Sequence, residues 1–255
     1  MIHYHGGPVT PVDAARELWT RRHAFVSFAH PSQAPLAAEV CHFALDCGAF
    51  TVWKAGEGTV DVTAYATWVR KWERHPGFDF AIIPDVIDGS EFDNDQMLAK
   101  WITGERMRCA SVPVWHLHES FERLELLVRG VLGGVYARVA LGSSGKWATP
   151  GTDDWWERME EVRPALTDED GCPLVKLHGL RMLNPTIFAH IPFSSADSCN
   201  VALNIGMDTK WPKGPYSPMT AKTRALVLAE RIELHATANR WSKRRGIQQN
   251  LELLG

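Results

Sequence analysis

Asp46, Asp85 and Asp197 are carboxylates placed where apolar runs of the chain end, and His116, His118 and His178 occupy similar positions. Asp197 lies in "PFSSADSCN", residues 192–200, among serines where an apolar strand would be running. Two such carboxylates over one pocket could divide nucleophilic and acid–base work at a sugar carbon. His116 and His118 are two apart, which on a strand puts both side chains on one face. That spacing fits metal ligation, contact with a base, or a hydrogen-bonded structural pair. "GSSG" at 142–145 offers Gly142, Ser143 and Ser144 as a small-residue turn whose N–H groups can face an anion. Each residue also has an ordinary use: Asp46 precedes a glycine and suits an Asx-turn, and Asp85 suits a turn or cap. Asp197 is hardest to dismiss in this way, because its small neighbours leave space over it.

These residues gain meaning from the elements that carry them. Eight short apolar runs alternate with helical patterns: "IHYHG", "HAFVSF", "HFALDCGAF", "FDFAIIPDV", "SVPVWHLHE", "RVALGSSG", "PLVKLHGL" and "IPFSSADS". Between them, "DVTAYATWVRKW" places Val62, Tyr65, Val69 and Trp72 on one helical face. Ser120 and Thr152 stand where helix N-caps belong. Met219 to Trp241 contains no Gly or Pro and reads as one long closing helix. Continuous apolar strands alternating with helices imply a parallel sheet covered on both faces. Eight such units predict an α/β chain forming a single (β/α)8 TIM barrel over about residues 1–206, with a loop and a C-terminal helix over 207–255. An open dinucleotide-binding sheet fits less well, since no G-x-G-x-x-G follows the first strand. A barrel collects the C-terminal ends of its strands on one face, the face that carries chemistry in this fold.

Composition narrows the classes. At 255 residues and 45% hydrophobic the chain can build one substantial core. Its net charge of −3 provides no global attraction for nucleic acid, so a polyanion would need a local patch. Arg240, Lys243, Arg244 and Arg245 form the clear basic cluster, suited to phosphates or to a solvated helix end. The five cysteines are scattered without a C-x-x-C pair, which points to a reducing cytoplasm and away from a disulfide framework. No signal peptide or membrane-spanning run is legible. Eleven tryptophans suit packing of helices on the barrel, although Trp53, Trp147 and Trp211 are also placed to stack on bases.

The order "LDCGAF", "IIPD", "PVWHLH", "VALGSSG", "KLHGL", "FSSADS" resembles the barrel of queuine tRNA-ribosyltransferases and their phage relatives, the DpdA-type DNA guanine transglycosylases. The resemblance covers roughly residues 1–206, and its most specific part is Asp46-Cys47-Gly48-Ala49-Phe50, set against a D-S-G-G-F motif. It implies Asp197 as nucleophile, Asp46 as the acid–base carboxylate, and Asp85 as the reader of a guanine edge. His116 falls near a family glutamine, and Gly142–Gly145 on the glycine-rich end of strand six. His118, Gly142, Ser143 and His178 then line the base. The implied reaction exchanges guanine for a 7-deazaguanine in DNA through a covalent aspartyl–sugar intermediate, without a cofactor. No cysteine follows Cys199, so the family's structural zinc site is missing, and so are the tRNA-binding insert and tail. DNA is therefore expected over tRNA, in a bacterial host cytoplasm if the source is a phage. A metal-dependent barrel hydrolase built on His116 and His118, a tRNA-type transglycosylase, and a non-catalytic nucleic-acid-binding barrel are the rival readings.

Overall fold

The structure, a computed structural model, describes residues 1–107, 109–206 and 218–243. Its strands are β1 (Ile2–Gly6), β2 (His23–Ser27), β3 (His42–Asp46), β4 (Phe78–Ile82), β5 (Ser111–Val112), β6 (Val114–His116), β7 (Arg138–Gly142), β8 (Lys176–Gly179) and β9 (Ser195–Ser198). They hydrogen-bond in the order β5-β4-β3-β2-β1-β9-β8-β7-β6, and every pairing is parallel. The edge segments β5 and β6 are consecutive in the chain and separated only by Pro113. Proline has no N–H to give to a ladder, so it interrupts the strand. Its carbonyl still accepts from Ala140 N at 2.9 Å. Residues 111–116 thus act as one strand whose first half pairs with β4 and second half with β7. The nine segments make an eight-stranded TIM-like barrel.

Helices α1 (Val12–Trp19), α2 (Ala34–Val40), α3 (Ala49–Ala55), α4 (Val62–Val69), α5 (Glu91–Ala99), α6 (Phe121–Val128), α7 (Asp153–Leu166), α8 (Pro185–Phe188), α9 (Asn200–Asn204) and α10 (Ala221–Glu233) occur between or after the strands. Side chains fix several starts: Ser120 Oγ accepts from Arg123 N, and Thr152 Oγ1 from Trp155 N, as N-caps do. The expected long closing helix is shorter than 219–241. After Glu233 the backbone turns to bond the barrel instead: Ala238 N donates to Phe188 O, Trp241 N to Gly171 O, and Ser242 N to His190 O. Tertiary bonding and burial of Trp241 outweigh local helix preference there. Trp19, Trp101, Trp115 and Trp155 are wholly buried, and Trp115 lies on an outward position of β6, so these four pack the core.

The barrel interior is closed from below by aromatic side chains. Tyr4, Phe25, Phe80 and His178 meet with ring centroids 5.3–6.4 Å apart, and the Arg138 guanidinium lies 4.5 Å from the Phe80 centroid. This plug sets the floor of the polar layer above it.

Candidate active site at the C-terminal ends of the strands

Period-two alternation decides which residues enter the barrel. Phe25 faces inward, so Ser27 two residues later does too. Ser27 is in register with Asp46, and its hydroxyl acts on the Asp46 carboxyl from the neighbouring strand end. His178 faces inward and meets Ser195, with Nδ1 2.8 Å from Ser195 Oγ. Asp197, two residues beyond Ser195, therefore faces the mouth. Arg138 points in, so Gly142 does as well, opposite His116 in register. One ring at the C-terminal ends thus contains Ser27, Asp46, His116, Gly142 and Asp197.

Asp46 accepts from Gly48 N at 3.1 Å, the Asx-turn contact its sequence allowed. The turn does not remove it from the mouth. Burial, followed by the charge of Asp197, pushes its carboxyl up to about 7; Ser27 and Gly48 N–H oppose the shift, and Asp85 adds to it. Asp46 and Asp197 both end inward-facing positions at the mouth, and the charge of Asp197 is felt at Asp46. A carboxyl poised near neutrality can give and take a proton.

Asp197 is buried, and its Oδ1 accepts from Arg181 N at 2.9 Å. His178 Nε2 stands 3.4 Å from the same oxygen. The donor to Asp197 is thus a backbone N–H, and the neighbouring serines are engaged elsewhere: Ser194 Oγ donates to Leu177 O, and Ser198 Oγ accepts from Asn200 N. Burial lowers the His178 pKa from its ordinary value while Asp197 opposes the shift. Asp197, His178 and Ser195 form a carboxylate–imidazole–hydroxyl line, but its direction is wrong for a serine nucleophile. Ser195 is fully buried, one strand repeat deeper than Asp197, and the carboxylate is the end that meets the mouth.

Asp85 lies three residues past β4 and is buried. His116 Nε2 is 2.8 Å from its Oδ2, and Cys47 Sγ donates to Oδ1 at 3.2 Å. Asp85 is thus held rather than vacant, and further lone pairs on each oxygen remain for a ligand edge. A buried network extends outward from this pair. Glu119 Oε2 accepts from His116 N at 2.8 Å and from Arg123 Nη1 at 2.7 Å, Asn94 Nδ2 donates to Glu119 Oε1, and Arg123 Nε donates to Asp95.

His118 is exposed and stacks on His116, with centroids 5.7 Å apart at 20°. Its Nδ1 is 2.6 Å from Ser144 Oγ and its Nε2 3.1 Å from Gly89 O. The pair expected from the H-x-H spacing does share a side, but three of its four ring nitrogens have protein partners. Among the described residues no group of three or more His, Cys, Asp or Glu is arranged to hold a metal ion. Ser143 is buried, its hydroxyl taking Trp155 Nε1 at 2.9 Å.

The basic cluster stands elsewhere. Arg240 lies 3.7 Å from Asp170, and the adjoining backbone bonds Gly171 and His190, in the connections that enter the N-terminal ends of β8 and β9. The described part of the cluster, Arg240 and Lys243, is therefore at the end of the barrel away from Asp46 and Asp197. Arg244, Arg245, Trp211 and the expected lid over 206–218, apart from Gly206 and Pro218, lie outside the described residues. Two clefts, of about 650 and 410 Å3, also open at the N-terminal ends, around His3, Arg22 and Glu233 and around Phe80, Trp101 and Arg138.

Sequence reasoning did not single out Arg181, whose N–H holds Asp197, nor Ser27, Glu119 and Arg123. Ser27 had a legible signal, since it ends β2 beside Asp46. The Arg181 contact depends on a backbone turn that residue type does not reveal. No protein-family model matches the chain, and no curated protein matches it.

Proposed function

We propose that the chain is a glycosyl-transferring enzyme that exchanges guanine for a 7-deazaguanine base in DNA. The observation that supports it best is that Asp46 and Asp197 both end inward-facing positions at the C-terminal ends of the barrel, with the charge of Asp197 acting on Asp46. Asp197 attacks C1′ of the target nucleotide as the C1′–N9 bond breaks, giving an aspartyl–sugar ester. Asp46 supplies a proton to the leaving guanine. The incoming base gives a proton to Asp46 as its N9 attacks C1′, and the ester bond breaks to restore Asp197. Retention through two displacements is the chemistry of paired carboxylates, one nucleophilic and one protonated when required.

Asp85, oriented by His116, accepts the N1–H and 2-amino group of guanine; adenine lacks that donor pair. The target must leave the helix stack for its C1′ to reach Asp197. The choice of DNA and of a deazaguanine rests on the resemblance in the sequence. No helix among the described residues is long and apolar enough to cross a membrane.

The test is incubation with radiolabelled guanine and either DNA or tRNA. Label entering DNA supports the reading; label entering tRNA alone transfers it to the tRNA-type reaction; label in neither removes it.

A further inference from the structure

Arg181 is unusual in conformation and in placement. Its φ is +58°, a left-handed backbone that costs an L-residue with a side chain roughly 1–2 kcal/mol and suits glycine better. Its N–H holds Asp197 Oδ1 at 2.9 Å, a contact any residue type provides. The backbone role therefore does not explain an arginine. Its side chain crosses the mouth: the guanidinium carbon lies 4.0 Å from the Phe50 ring centroid, and Nη2 donates to Ser143 O at 3.3 Å. Arg181 is exposed, and among the described residues its guanidinium makes no ion pair. A cation is thus fixed between α3 and the end of β7, attached by its own backbone to the candidate nucleophile, with donors left over. Stacking on an aromatic face leaves the planar edge of a guanidinium free for a bidentate anion.

We propose that Arg181 binds a phosphate flanking the sugar that Asp197 attacks. This rests on the base-exchange reading for the identity of the reacting sugar, and on the geometry alone for the anion contact. It also supplies the electrostatic contact that Arg240 and Lys243, at the other end of the barrel, do not. Phe50 and Ser143 keep the guanidinium extended toward the mouth, so that little side-chain freedom remains to be lost on binding.

The test uses Arg181→Gly, which keeps the N–H to Asp197 and relieves the left-handed backbone, and Arg181→Lys, which keeps the charge without the planar fork. Binding of a guanine-containing single-stranded DNA oligonucleotide is measured by fluorescence anisotropy across a salt series, and exchange of labelled guanine is measured in parallel. We expect Arg181→Gly to weaken binding by about 10–100-fold. Its slope of log affinity against log salt should shrink by about one phosphate contact, with Arg181→Lys intermediate. In the exchange assay KM should rise more than kcat falls. A methylphosphonate at the flanking position should weaken wild type but not Arg181→Gly. An unchanged salt slope in Arg181→Gly, or a wild type that does not bind the oligonucleotide, overturns the assignment. Loss of binding in Arg181→Gly with no exchange by wild type keeps the phosphate contact and removes the base-exchange reading. A fall in melting temperature without a change in slope identifies a mere brace and also overturns it.

Discussion

Gly142 faces the imidazole of His116 so closely that a methyl group on its Cα would stand 2.8 Å from Nδ1. The absence of a side chain at the end of β7 is what admits the ring that holds Asp85 from the end of β6. Gly142→Ala should push His116 off Asp85 and cost about 1–3 kcal/mol of stability by overpacking. Thermal unfolding checks the cost, and KM for the base checks the effect on Asp85. An unaltered KM would show that Asp85 needs no partner.

Asp46 predicts a pH dependence with a definite sign. Its carboxyl ionises near 3.8 when unfolded and about 7 in the fold, so the folded state keeps the proton longer. The stability this provides is present in full below pH 4 and is lost as pH rises to about 7. Asp46→Asn keeps an acceptor for Gly48 N–H and removes the titration. The variant should therefore gain stability relative to wild type between pH 4 and 7, and hold that gain above pH 7. Denaturant unfolding across this range measures it. The variant's exchange rate should fall by about 10²–10⁴-fold, as loss of general acid–base catalysis does.

The buried Glu119–Arg123 pair braces the backbone of His116. Arg123→Met should leave Glu119 charged and unpaired beside Asn94, costing about 3–5 kcal/mol. The double variant Glu119→Leu with Arg123→Met should recover part of that loss. Urea midpoints for the two variants decide it; a double variant that loses clearly more than Arg123→Met alone would mean that the pair is not coupled.

Ser195→Ala separates two mechanisms that use the same three residues. If Asp197 is the nucleophile, the variant should lose about 1 kcal/mol from the Ser195–His178 hydrogen bond and keep exchange within about tenfold of wild type. A serine nucleophile requires near-total loss. Steady-state exchange with labelled guanine distinguishes them.

The architecture was legible because its signals are local and repeated: apolar runs at barrel spacing, each ending in a polar residue. Asp46 and Asp197 were legible as a pair because strand ends in a barrel share a face, and the inward alternation from Tyr4, Phe25 and His178 carries them to one mouth. What could not be read depends on geometry set by the whole fold. Pro113 splits one strand into two paired halves. Trp241 leaves the helical pattern to bond Gly171. Arg240 and Lys243 follow it to the far end of the barrel, although their composition resembles any phosphate-binding patch. The left-handed turn at Arg181 has no signature in residue type, since glycine would be the expected occupant.

Base exchange by this route requires above all that Asp197 bond to the sugar. Wild-type protein incubated with guanine-containing DNA and rapidly denatured, without added base, should carry a nucleotide adduct, and peptide mass spectrometry should place it on the peptide containing Asp197. The adduct should disappear on adding guanine, and Asp197→Ala should show neither adduct nor exchange, at a loss of at least about 10³-fold. Full exchange by Asp197→Ala, or an adduct on another residue, would contradict the account.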